Sequence, residues 1–240
     1  MHLALFDASL GTPHAKRNFH REVDASLTTY QVNHGEMPPP AGTKGDGPSL
    51  PFDGVIISGS QSSVYDDRAW IQELSRWVEG AIADGLPILG VCWGHQLLAQ
   101  VLGGTVKGGA YELGYVTVHQ EVDDPIWDGI SNPFTVFATH SDHVVALPSD
   151  ATLLASNDTG VQAFRHNQVY GVQFHPEYDR ETAAAMIDSK SLPPADLQAA
   201  RATCTPQNLE AAQGPKRIFD NFLDHVAQAQ DAPAPSALDI

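Results

Sequence analysis

Cys92 lies in Pro87-Ile-Leu-Gly-Val-Cys-Trp-Gly-His-Gln-Leu-Leu-Ala-Gln-Val-Leu-Gly-Gly104, an apolar run that passes through Gly90-x-Cys92-x-Gly94 directly into a helical pattern. This is the spacing of a nucleophile elbow, with sulfur in place of the serine oxygen. A sharp strand-to-helix turn forces the nucleophile into a strained backbone conformation. Side chains two residues away on either side would collide, so glycine fits both places. Cys92 then sits at a helix N-terminus, where free N–H groups and the helix dipole favour negative charge. The N–H of Trp93 points where an oxyanion would form. A lone cysteine at a strand end is more often a packing residue; the two glycines and the strand-to-helix setting argue for the reactive one.

The second chemical set is His175-Pro-Glu177, at the end of the apolar run Val169-Tyr-Gly-Val-Gln-Phe. Alternate residues of an extended chain face the same way, so His175 and Glu177 can lie side by side. Pro176 holds the strand end extended. A carboxylate beside an imidazole fixes its tautomer and stabilises the imidazolium, which can in turn support a thiolate.

The elements that must position these groups are legible from periodicity. Leu3 to Asp7, Thr28 to Val32, Gly54 to Ser58 and Ile88 to Val91 read as strands. Lys16 to Asp24, Ala69 to Ala83 and Trp93 to Leu102 read as helices. In the second of these, Trp70, Leu74, Trp77, Val78 and Ala81 share a face, Asp66 or Asp67 is the expected cap, and Gly85 the stop. Met37 to Pro51 is Pro- and Gly-rich and reads as a loop. Thr105 to Val145 is rich in β signals, and Val161 to Arg165 with Val169 to Phe174 predicts a hairpin around His166-Asn167. Helices are expected at Arg180 to Lys190, Pro194 to Ala202 and Asn208 to Ala229. The fold class is therefore α/β: a doubly wound, mostly parallel, flavodoxin-like sheet flanked by helices, with a small β-rich segment and a helical C-terminal extension. Residues 1–190 are read as the main domain, 191–230 as the extension of that domain, and 231–240 as a flexible Ala/Pro-rich tail.

Gly90-Val-Cys-Trp-Gly-His-Gln96 and Gly171-Val-Gln-Phe-His-Pro-Glu177 together resemble the class I glutamine amidotransferase family. Ile57-Ser-Gly-Ser60 matches the family's oxyanion loop. Thr139-His-Ser-Asp-His-Val144 looks like the Ser-His-Gly-Asp-x-Val stretch of the amidotransferase domain of GMP synthases. The resemblance covers about residues 2–190. It implies that Cys92 attacks the glutamine amide, that His175 protonates the departing ammonia, and that Glu177 orients His175. It further implies that Gly59 and Trp93 supply oxyanion N–H groups, that Gln96 contacts substrate, and that the backbone near Ser141 and Asp142 holds the amino-acid end. The loop Gly59-Ser-Gln-Ser-Ser63 is less glycine- and proline-rich than the usual family loop. No pyrophosphatase loop or Gly-x-x-x-x-Gly-Lys phosphate loop is present, so no ATP-dependent amination is expected of this chain alone. The expected substrate is L-glutamine, with the ammonia passed to a separate synthetase; a γ-glutamyl compound hydrolysed by a stand-alone enzyme is the alternative.

Composition narrows the setting. There are 29 acidic and 13 basic residues, a net charge of −16, which repels nucleic-acid phosphates and anionic membranes. Such a surface serves solubility, or hydration at high salt. No apolar run approaches the roughly 20 residues that span a bilayer, and two cysteines are too few for a disulfide framework, so a cytoplasmic setting is expected. Eleven histidines invite a metal, yet His140-Ser-Asp-His143 has no His-Glu-x-x-His or cysteine-pair context, and neither metal nor cofactor is expected. Tyr65-Asp66-Asp67 reads as a turn and cap or a pocket edge, Trp70 and Trp77 as core, and Cys204 as packing.

Overall fold

The computed structural model describes residues 1–11, 14–38 and 50–231. Most of the expected Met37 to Pro51 loop, and the expected tail from residue 232, lie outside them.

The strands are β1 (His2–Asp7), β2 (Ser26–Gln31), β3 (Gly54–Ile57), β4 (Ile88–Val91), β5 (Thr105–Gln120), β6 (Phe134–Ala146), β7 (Thr152–Asn157), β8 (Gly160–His166) and β9 (Val169–Val172). The helices are α1 (His14–Glu22), α2 (Ala69–Ala83), α3 (Trp93–Val101), α4 (Arg180–Asp188), α5 (Pro194–Ala202), α6 (Pro206–Ala211) and α7 (Ile218–Asp231). One mixed sheet has the order β2-β1-β3-β4-β9-β8-β7-β5-β6. Its first half is parallel, as the strand–helix alternation requires. The β-rich segment continues the same sheet with antiparallel pairings, so the parallel share is smaller than the sequence suggests.

Period-2 alternation divides the core. Leu3 and Leu5 of β1 face Phe19 of α1 and Phe219, Phe222 and Val226 of α7. Ala4 and Phe6 face the other way, toward Leu74, Trp77 and Val78 of α2 and Leu97 and Leu98 of α3. A strand buried on both faces needs a helical layer on each, which is why these runs are continuously apolar. The C-terminal extension has two packing partners. Ala200 of α5 joins Ala183 and Ile187 of α4 against Tyr115 and Phe137 of the β5–β6 pair, while α7 closes the main sheet.

Two local expectations are corrected. The predicted single helix Asn208 to Ala229 is broken into α6 and α7 by the short 3-10 turn Gly214–Arg217. Pro215 has no N–H to give and is placed at the start of that turn. The N-cap of α2 is Arg68, not Asp66 or Asp67. Asp66 instead accepts from the Ser63 N–H, and Asp67 from the Gln72 amide. The β8–β9 hairpin turns as expected, with Asn167 at φ 53°. No helix among the described residues is long and apolar enough to cross a membrane.

Candidate active site

Strand β4 ends at Val91, and the chain turns at Cys92 with φ 54° and ψ −103°, a conformation non-glycine residues rarely adopt. The turn is held from both sides: the Cys92 N–H donates to the Val172 carbonyl (2.8 Å), and the Cys92 carbonyl accepts from the Gln96 N–H (3.1 Å). A Cβ on Gly90 would lie 2.5 Å from the Gly94 backbone, and one on Gly94 would lie 2.4 Å from the Ile57 carbonyl oxygen. The elbow glycines are thus required by backbone packing, as their spacing implies.

Pairing of β4 with β9 brings the second motif to the first. His175 follows β9, anchored by its N–H on the Phe137 carbonyl (2.8 Å). Its Nδ1 lies 2.8 Å from Glu177 Oε1, and both side chains are almost fully buried. The Tyr178 ring stacks on the imidazole at 4.2 Å. Gly59 closes over the pair: a Cβ there would be 2.9 Å from His175 Cε1 and 3.6 Å from Cys92 Cβ. The Cys92 sulfur is 3.9 Å from the Thr139 carbonyl. Cys92, His175, Glu177, Gly59, Gln96, Ser141 and Asp142 all line one cavity of about 190 Å³.

Electrostatics favour a charged imidazole. Burial by itself would lower the His175 pKa; the electrostatic influence of Glu177 and Cys92, with their hydrogen bonds to the ring, outweighs it and raises it from 6.5 to about 10. A folded-state value above the unfolded one means this stabilisation is full below pH 6.5 and is lost as pH rises through about 10. Glu177→Gln removes the largest raising influence. The alkaline limb of turnover should therefore move to lower pH, with kcat down by roughly 10–100-fold. A pH profile of kcat that is unchanged in position would overturn that assignment of the charge.

The other predicted residues are placed as follows. Trp93 opens α3, so its N–H belongs to the first turn, where no preceding helical carbonyl is available. Its indole is buried against Trp70 (5.2 Å). Gln96 reaches the cavity wall, but its amide nitrogen donates to the Asp142 carbonyl (2.9 Å) and to Gln173 Oε1 (3.2 Å). It therefore braces the wall as well as facing the cavity. The Tyr65 hydroxyl donates to Asp142 Oδ1 (2.9 Å), while Tyr65 itself is exposed and does not line the cavity. Trp77 is core, against Phe6. Among the cavity-lining residues that escaped the sequence reading are Tyr178, Tyr111 and Lys190, whose ammonium is 5.7 Å from the Tyr111 ring centre. Only Tyr178 carried a signal, as the aromatic residue next to His-Pro-Glu. His95 is buried and its pKa is pushed down to about 3, chiefly by desolvation, so it packs as a neutral ring against Phe164. Among the described residues no group of three or more His, Cys, Asp or Glu is arranged to hold a metal.

The chain thus carries, on a mixed α/β sheet, an elbow cysteine beside a His–Glu pair, and a family model gives the class to which it belongs. Residues 14–192 match the family described as "Glutamine amidotransferase class-I". The chain belongs to that family and is an enzyme of that kind. It is 42% identical over 124 residues to a glutamine-hydrolyzing GMP synthase from Pyrobaculum aerophilum, a match that covers 51% of this chain and 24% of that one. It thus spans about a quarter of the length of that relative. It is 36% identical over 138 residues to a chain from Methanococcus vannielii named as one subunit of a glutamine-hydrolyzing GMP synthase, covering 56% of this chain and 69% of that one. The fold matches the crystal structure of a glutamine amidotransferase from Thermotoga maritima, with a TM-score of 0.71 at 21% identity, covering 97% and 99% of the two chains. A glutamine amidotransferase from Methylobacillus flagellatus matches with a TM-score of 0.74 at 18% identity, covering 100% and 98%.

Proposed function

We propose that this chain hydrolyses the side-chain amide of L-glutamine, using Cys92 as nucleophile, His175 as acid and base, and Glu177 to hold His175. The Cys92 thiolate adds to the amide carbon, with the oxyanion met by the N–H groups of Gly59 and Trp93. The tetrahedral species collapses as the C–N bond breaks and His175 protonates the departing ammonia. Water then adds to the γ-glutamyl thioester, giving its proton to His175; the C–S bond breaks, and glutamate leaves. Ser141 and Asp142 hold the amino-acid end. Residues 1–190 carry this chemistry, and 191–230 extend the same domain.

The observation that carries the reading is one cavity in which Gly59 covers both Cys92 and the His175–Glu177 pair. The relative from Methanococcus vannielii is named as a subunit, which supports transfer of the ammonia to a separate synthetase chain. Two free cysteines, neither in a disulfide, suit the cytoplasm.

The test is release of glutamate and ammonia in equal amounts from L-glutamine, at low and at molar salt, beside γ-glutamyl-p-nitroanilide. Glutamine turnover supports the proposal. Turnover of the anilide with none of glutamine, in folded protein, would replace it with a γ-glutamyl hydrolase.

A further inference from the structure

We propose that Glu112 and His140 form a buried positioning pair that fixes the backbone at Asp142 and so sets the affinity for the amino-acid end of the substrate. This rests on the function proposed above. Glu112 of β5 and His140 of β6 are cross-strand partners beside a register shift between Gly108 and Glu112. Glu112 Oε2 lies 2.9 Å from His140 Nε2, with the two side chains 7% and 2% exposed. Burial at this depth is costly for a carboxylate unless each oxygen is served. Here both are: Oε2 also accepts from Gln162 (3.2 Å), and Oε1 from Asn157 (2.8 Å) and Thr159 (3.2 Å). Burial tends to raise the Glu112 pKa, but His140 and these donors outweigh it and hold it below the usual value.

The other His140 nitrogen, Nδ1, lies 3.1 Å from the Asp142 carbonyl oxygen. That same carbonyl accepts from Gln96 of the elbow helix at 2.9 Å. Asp142 is therefore clamped between the helix that carries Cys92 and the buried Glu112–His140 pair of the β5–β6 hairpin. His140 and Asp142 border the cavity, whereas Glu112 does not reach it and acts only through His140. Cys92 has its own anchors, on Val172 and Gln96. Loss of the Glu112 charge should accordingly weaken substrate binding more than it slows the chemistry at sulfur.

The experiment compares wild type, Glu112→Gln and Thr159→Ala. The last removes one Glu112 donor without touching His140. Glutamine kinetics are measured beside labelling of Cys92 by iodoacetamide, which has no amino-acid end, and by a diazoketone analogue of L-glutamine, which has one. Glu112→Gln should raise KM and the half-saturation for the diazoketone by about tenfold, with kcat and the iodoacetamide rate within about threefold. Thr159→Ala should leave all four near wild type. If Glu112→Gln does not fold, the neutral double variant Glu112→Gln/His140→Gln leaves no uncompensated buried charge and permits the same measurement. Unchanged half-saturation, or equal losses with both reagents, would overturn the positioning role alone. Wild-type protein that takes iodoacetamide but not the diazoketone would overturn the glutamine reading, and this inference with it.

Discussion

Cys92→Ala should reduce glutamine hydrolysis by about 10⁴-fold or more, to background, because no other group in the cavity can form the thioester. The fold should persist. Cys92 is held by backbone hydrogen bonds to Val172 and Gln96, which alanine keeps. The substitution also separates strain from chemistry. Cys92 has φ 54°, and alanine retains the Cβ that makes this costly. Cys92→Gly relieves that cost, which for such a conformation is about 1–3 kcal/mol. Both variants should be inactive, with the glycine variant melting above the alanine one. Melting in the reverse order would show that the turn stores no strain. Residual activity in Cys92→Ala within tenfold of wild type would remove Cys92 from the mechanism.

Gly94→Ala carries the largest expected cost in stability. Its Cβ would stand 2.4 Å from the Ile57 carbonyl oxygen and 3.0 Å from Ile57 C and Cβ. Ile57 is fully buried at the end of β3, inside the parallel half of the sheet, and a backbone carbonyl cannot rotate away as a side chain can. Overpacking costs about 1–3 kcal/mol and sometimes more, and rigid neighbours put this case near the top. At about 2–4 °C per kcal/mol for a chain of this size, the melting temperature should fall by roughly 6–12 °C. Activity should fall further than stability accounts for, since α3 must lift away from β3 and carry Cys92 with it. Gly214→Ala is the comparison: nothing lies within 4 Å of its Cβ, and its φ is not in the left-handed region. It should change stability by no more than about 0.5 kcal/mol. Equal melting temperatures for the two variants would mean that α3 can lift off β3 at little cost.

The two motifs were legible in the sequence because their logic is local. Gly90, Cys92 and Gly94 sit within one turn of chain, and their spacing states a steric requirement that the Gly94–Ile57 contact explains. His175 and Glu177 share a face because an extended chain alternates. The helix Ala69–Ala83 was readable from its apolar stripe, and its stop from Gly85 at φ 74°. Where a local signal was weak or displaced, the reading slipped. Pro215 breaks a stretch that otherwise looks helical, and the acidic pair before α2 bonds elsewhere while Arg68 takes the cap.

Everything that joins distant segments was decided by the tertiary structure. Placing β9 beside β4, with Gly90 opposite Gly171, brings His175 to Cys92. The bridge from Phe137 to His175 brings the β6 wall to the same cavity. Glu112 carried no signal at all, because its role depends on the register of β5 against β6 across an irregular stretch. A one-residue slip there would turn its carboxylate to the opposite face and leave His140 Nε2 without its carboxylate. Periodicity records which way a side chain points from its own strand; which strand lies next to it follows only when the buried faces are matched across the whole core.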